Sequence, residues 1–263
     1  MCTVTWIHDE EGYQLFFSRD EKGTRKQATS PRFAAQDGIR FLAPVDGDFG
    51  GTWIGVNEFG VSTCLLNGAN LTGPGAAIQT NDELPRAAHV HPPLQAVFPK
   101  SRGFLLVDLI TAPSVTAVCE HLRGADLSGF GPFTIAALEP GQPTALVEWN
   151  GAEKTIVPCG EPYLPLTSSS FDAEGVRRKR QDEYFRLLKS SGRLDANVLF
   201  EFHRSHGAMP SAYSTCMHRP DAETVSFSWI RVTDLEAEFF YTPAAPCKQS
   251  AGESRKLALP SRC

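Results

Sequence analysis

At 263 residues, 41% of them hydrophobic, the chain is long enough to bury a large core, and no Pro/Ser/Gly-rich linker divides it, so residues 1–263 are read as a single domain. A formal charge of -5 and a pI near 5.8 lack the basic excess that attracts phosphate backbones, so nucleic acid is not expected as a partner. No run approaches the roughly twenty apolar residues of a membrane span, and the N-terminus lacks a basic segment followed by a long apolar core; a cytoplasmic protein without a membrane span is expected.

The first elements are two strands. Thr3 to Ile7 and Tyr13 to Phe17 are rich in β-branched and aromatic residues, and Asp9-Glu10-Glu11-Gly12 between them has turn composition. Each strand advances about 3.3 Å per residue, so antiparallel pairing carries the position opposite Cys2 close to Ser18-Arg19-Asp20. That juxtaposition has chemical content. Removal of Met1 would leave a thiol and a free α-amino group on one residue. A thiol becomes a good nucleophile only beside a base or a cation; an α-amine of pKa near ~8 is such a base, and Arg19 is always charged. The mature chain is therefore expected to begin at Cys2.

Further along, Gly47-Asp48-Phe49-Gly50-Gly51 lacks the Lys-Ser/Thr and the following helix of a phosphate loop and reads as a tight turn. Strands are predicted at Thr52–Val56, Val61–Leu66, Phe133–Leu138 and Ala145–Asn150, each bounded by Gly, Asn or Pro. Apolar residues at helical spacing predict helices over Arg102–Ile110 and Ser114–Leu122, separated by Pro113, and a longer one over Asp172–Ser190. In that last helix Asp172 is placed to cap, and Arg177-Arg178-Lys179-Arg180 reads as a solvated first turn. Ser214–His218, Thr224–Arg231 and Ala237–Tyr241 return to strand patterns, with Arg219-Pro220-Asp221 as a turn. The order of strands, helices and strands again implies an α+β fold.

The remaining constellations carry less. Seven cysteines, odd in number and without a Cys-x-x-Cys pair, argue against a disulfide framework or a zinc site. His203, His206 and His218 lack the accompanying Glu of a zinc hydrolase helix, so they read as ordinary histidines of a polar loop and no metal or other cofactor is expected. His89 and His91 precede two prolines and read as an extended surface connection. Trp53 is a core residue by default.

Two stretches resemble a known family. Ser18-Arg19-Asp20-Glu21 resembles the Asn-Arg-Asp-Glu motif of the NRDE family, of transport-and-Golgi-organisation-2 type. Gly50-Gly51-Thr52-Trp53-Ile54-Gly55-Val56-Asn57-Glu58-Phe59-Gly60, with the strand that ends at Leu66-Asn67, resembles that family's Gly-Gly-Thr-Trp hairpin. The family is similar in layout to N-terminal-cysteine amidases of the penicillin V acylase and bile salt hydrolase type. The resemblance implies a four-layer αββα sandwich of N-terminal nucleophile hydrolase type, and hydrolysis of a non-peptide carbon–nitrogen bond in a small-molecule substrate. It implies Cys2 as nucleophile, Arg19 as its cation, Asp20 (with Glu21 as the alternative) orienting the α-ammonium, and Asn67 as an oxyanion donor. The second donor in those amidases is an asparagine in a Leu-Thr-Asn context, where this chain has Leu166-Thr167-Ser168. That departure leaves a second class open, a carrier of a hydrophobic small molecule such as haem or an acyl lipid.

Overall fold

The computed structural model describes residues 2–68, 71, 98–248 and 251–260. The N-terminal hairpin is formed by β1 (Cys2–Asp9) and β2 (Gly12–Lys22), with Glu10-Glu11 as its two-residue turn. The Asp9 carboxylate accepts from the backbone N–H groups of Glu11 and Gly12, which closes that turn. Gly12 has φ +150°, and a Cβ there would meet the Val232 carbonyl oxygen at 2.2 Å, so no other residue fits.

The strands that follow are β3 (Thr29–Gln36), β4 (Ile39–Val45), β5 (Ile54–Asn57), β6 (Ser62–Asn67), β7 (Phe133–Leu138), β8 (Ala145–Trp149), β9 (Lys154–Val157), β10 (Leu166–Ser168), β11 (Ala222–Val232), β12 (Glu236–Thr242) and β13 (Glu253–Ala258). They form two antiparallel sheets, one in the order β10-β1-β2-β11-β12-β13 and the other in the order β3-β4-β5-β6-β7-β8-β9. Between the sheets lie Val4, Trp6, Leu15 and Phe17 from the first and Leu42, Ile54, Val56, Cys64 and Leu138 from the second, all buried. Tyr13 pins the two sheets together: its hydroxyl donates to the Gly60 carbonyl at 3.0 Å and lies 2.6 Å from Ser62 Oγ.

Helices cover both outer faces. The helices α1 (Arg102–Ile110) and α2 (Val115–Gly124) lie on the second sheet, burying Leu105, Leu106, Leu109, Val118 and Leu122 against Leu65, Ile135 and Ala137. On the first sheet lie α3 (Ala173–Ser191) and α4 (Ala196–Arg204), against β10, β1 and β2. Ser114, Asp172 and Asp195 cap three of these helices by accepting from the N–H three residues on. The result is the αββα sandwich expected from the sequence.

Three local expectations change. Ser214–His218 is a buried turn rather than a strand, because Ser214 Oγ bonds to the His206 and Met209 carbonyls and Met217 N–H to Thr224 Oγ1. His203 is not in a loop but in the last turn of α4, on the buried stripe of Val198, Leu199 and Phe202. Arg180 is not solvated: it shares the buried stripe of α3 with Val176 and Tyr184 and is fully enclosed.

Candidate functional site

Strand alternation divides β1 and β2 into two chemically distinct faces. Cys2 pairs with Ser168 on one side and Arg19 on the other, so these three side chains form one row across β10, β1 and β2, facing the second sheet. All three are buried. Asp20, one residue further, points the opposite way, toward the helices.

On the inter-sheet face, the Arg19 guanidinium stacks over the Trp53 ring at 4.2 Å and bonds Asp46 at 2.5 Å and Glu21 at 3.1 Å. Asp46 also takes Arg25 at 2.7 Å, and Arg25 reaches Asp48 at 2.8 Å. Asp46 is held by the glycine-rich turn, where its other carboxylate oxygen accepts from the N–H groups of Asp48 and Phe49. Gly51 lets that turn lie against α1, since a Cβ there would meet the Gly103 backbone at 2.7 Å. The sequence reading missed Asp46, although its signal was present: an acid directly before a Gly-Asp-Phe-Gly-Gly turn.

Arg19 is therefore not an uncompensated cation. Burial pushes the Cys2 thiol up to about 11; the nearby amino terminus pulls it down, Asp20 and Glu21 push it further up, and Arg19 draws it down least. Desolvation wins over Coulomb attraction here, so the resting group is a thiol and needs a base to ionise.

Two buried donors, one in this row and one against it, are unspent. Ser168 Oγ and Trp53 Nε1 have no hydrogen-bond partner among the described residues. A buried polar group left unpaired costs about 1–3 kcal/mol, so such groups commonly mark a place where something else binds. Asn67 ends β6, a strand that lies across the interface from β1 and β10, and is exposed. It follows the phase of Leu65, which faces the helices, and is not brought into the row of Cys2, Arg19 and Ser168.

The helix-side face is a polar network in which, among the described residues, Arg180 Nε is left without a hydrogen-bond partner. Arg180 donates to Thr3 Oγ1 and to Asp20 at 3.1 Å, and the Thr224 hydroxyl donates to the other Asp20 oxygen at 2.6 Å. His203 lies 2.9 Å from Thr5 Oγ1 and 2.8 Å from Ser18 Oγ. Burial, with Arg180 adding to it, drives its pKa down to about 3, so the ring is neutral.

Of the histidines weighed as metal ligands, His203 is thus withdrawn into the core. His206 and His218 instead meet Cys216 and Cys247, with all four ligand atoms within 4.8 Å of one another. His89 and His91 lie outside the described residues.

A family profile described as Transport and Golgi organisation 2 matches residues 1–214. No curated protein matches the chain. Among solved structures the chain is similar to the Caenorhabditis elegans ortholog of N-acylethanolamine-hydrolyzing acid amidase, at 12% identity and a TM-score of 0.58, covering 99% of this chain and 100% of that one. It is similar to a mutant of the conjugated bile acid hydrolase from Clostridium perfringens, at 11% identity and a TM-score of 0.56, covering 100% and 97%. A penicillin V acylase from Agrobacterium tumefaciens is similar at 13% identity and a TM-score of 0.54, covering 93% and 83%. These likenesses establish the fold as that of the N-terminal nucleophile hydrolases.

Proposed function

We propose a function from a premise the profile match supplies: the chain belongs to the Transport and Golgi organisation 2 family, and within it acts as an N-terminal-cysteine hydrolase of a linear, non-peptide amide. The observation that carries this reading is the transverse row of Cys2, Arg19 and Ser168, with the thiol at the very start of β1. The neighbours named as an acylase, a bile acid hydrolase and an N-acylethanolamine-hydrolysing amidase support an amide as the substrate.

Once Met1 is removed, the α-amine of Cys2 takes the thiol proton, and the thiolate sulfur attacks the amide carbonyl carbon. The ammonium then gives its proton to the leaving amine as the carbon–nitrogen bond breaks, leaving a thioester on Cys2. Water attacks that thioester, the amine accepts the water's proton, and the acid departs with the thiol restored. A thiol raised to about 11 makes the base indispensable, because little thiolate exists at neutrality without it. Ser168 is assigned to the oxyanion, a contribution of about 2.7–4 kcal/mol for a well-placed donor; Asn67, which faces away from the row, is given no part in it. Arg19 supports the thiolate, and Asp20, held in place by Arg180 and Thr224, orients the ammonium.

The test is amine release from N-acylethanolamines and N-acyl amino acids by wild type and Cys2→Ala. Release by wild type alone, with a thioester trapped on Cys2, supports the reading. No release and no adduct refutes it.

One observation favours a second reading. A buried Cys2 sulfur beside a charge-neutralised Arg19 also suits a carrier of haem or an acyl lipid, the thiol giving up its proton where the sulfur ligates haem iron. Its test is the absorbance spectrum with and without added haem, where a Soret shift that Cys2→Ala abolishes would support it.

A further inference from the structure

We infer that His206, Cys216, His218 and Cys247 form a tetrahedral zinc site, separate from the Cys2 centre. The four come from three places: His206 follows α4, Cys216 and His218 lie in the buried turn that leads into β11, and Cys247 follows β12. Their ligand atoms all lie within 4.8 Å of one another.

The spacing matches a metal better than it matches hydrogen bonding. Zinc–sulfur bonds of about 2.3 Å and zinc–nitrogen bonds of about 2.0–2.1 Å set a tetrahedral sulfur–nitrogen edge of about 3.5 Å. Cys216 Sγ lies 3.6 Å from His218 Nε2, and Cys247 Sγ lies 3.4 Å from the same atom. One imidazole nitrogen serves a single strong hydrogen bond, yet here two sulfurs converge on it. His206 Nε2, buried beside them, has no hydrogen-bond partner among the described residues. A divalent cation takes all four lone pairs at once, and a donor set of two thiolates and two neutral imidazoles selects Zn²⁺.

The surroundings are those of a built site. His218 turns its other ring nitrogen toward Glu223 at 3.7 Å, and Lys248 in turn holds Glu223 at 2.9 Å. A carboxylate behind a ligating histidine fixes the ring and its tautomer. An open cleft lined by Glu201, Arg204, Ser205, His206 and Cys247 leads to the ligands from solvent. Binding releases the two thiol protons, so two thiolates balance the charge of the ion.

The site braces the helix-side face. Met217, between two of the ligands, donates its N–H to Thr224 Oγ1 at 2.8 Å, and that hydroxyl donates to Asp20 at 2.6 Å. An ion that clamps the turn to α4 and to the segment after β12 therefore holds one of the partners of Asp20.

The experiment is metal analysis of untagged full-length protein, followed by chelation and titration with Co²⁺ as a spectroscopic substitute for zinc. One equivalent of zinc as purified is expected, with the intense visible bands of tetrahedral cobalt and a sulfur-to-cobalt charge-transfer band after exchange. Cys216→Ser and His206→Gln should each reduce the charge-transfer or tetrahedral signature, and the chelated wild type should unfold at a lower temperature than the loaded protein. Absence of stoichiometric metal together with no tetrahedral cobalt spectrum in the wild type would overturn the inference, and that reading does not depend on any variant folding. So would a native mass 2 Da low from a Cys216–Cys247 disulfide.

Discussion

A single step along β2 separates two environments. Arg19 faces the interior between the sheets, where Trp53, Glu21 and Asp46 share its charge beside a thiol; Asp20 faces the helices, where Arg180 and Thr224 enclose it. The inter-sheet face keeps buried donors unspent at Ser168 and Trp53, while Thr3, Thr5 and Ser18 on the helix side are all engaged by Arg180 or His203. Adjacent residues of one motif thus serve different ends. The inter-sheet face is the one the proposed chemistry would use, and the helix side, whose polar groups are mostly paired, holds β1, β2 and the helices together.

The sharpest way to break this contrast is Arg180→Met. Removing one partner of a buried pair takes the guanidinium from Asp20 and should lower stability by about 3–5 kcal/mol in urea unfolding. A loss below about 1 kcal/mol would mean that the helix side is not the structural face. Ser168→Ala should do the reverse. Its hydroxyl has no partner among the described residues, so stability should stay within about 0.5 kcal/mol of wild type, while turnover falls by about 10²–10³-fold if the hydroxyl meets an oxyanion. Unchanged turnover would remove Ser168 from the chemistry.

A third test uses acid. His203 is held neutral with a pKa near 3 against an ordinary 6.5, so below pH 6.5 the unfolded chain binds a proton that the folded chain refuses. Stability contributed by the neutral ring is complete above pH 6.5 and should fall by about 1.4 kcal/mol per pH unit below it. His203→Asn should be less stable at neutrality but lose this part of the acid slope, as thermal unfolding across that range would show. An unchanged slope would assign the acid sensitivity elsewhere. The smallest expected effect is at Arg19. Because Glu21 and Asp46 already share its charge, Arg19→Gln should move the alkaline rise of Cys2 labelling upward by less than about one pH unit. A larger shift would make Arg19 a stronger partner of the thiol than its ion pairs allow.

Much of this architecture was legible in the sequence because burial leaves a period behind. β7 lies between the Gly and Pro residues that bound it and α1 where helical spacing puts it, and the hairpin set Cys2 opposite Arg19 as strand length required. The elements that escaped are mostly edges. β9 and β13 bury little, β10 is buried but only three residues long, and β3 carries a proline, so they have no alternation to read. α4 escaped for another reason: its stripe ends on a histidine, which reads as polar although Asp195 followed by Val198, Leu199 and Phe202 is a capped apolar pattern. Arg180 was hidden in a basic run whose other members face outward or lie half-buried, and only its spacing of four from Val176 and Tyr184 marks it as buried. The Cys216–Cys247 cluster has no sequence signature at all, since its ligands meet only through the packing of α4, the turn before β11 and the end of β12.

The central claim is that Cys2, at the start of β1, is the reactive group. Intact-mass analysis after limited treatment with a cysteine-directed acylating agent tests it most directly. The account predicts a chain lacking Met1 that gains one acyl group on Cys2 ahead of the other cysteines, and a Cys2→Ala protein that gains none under the same treatment. Retained Met1, or equal labelling of wild type and Cys2→Ala, would contradict it.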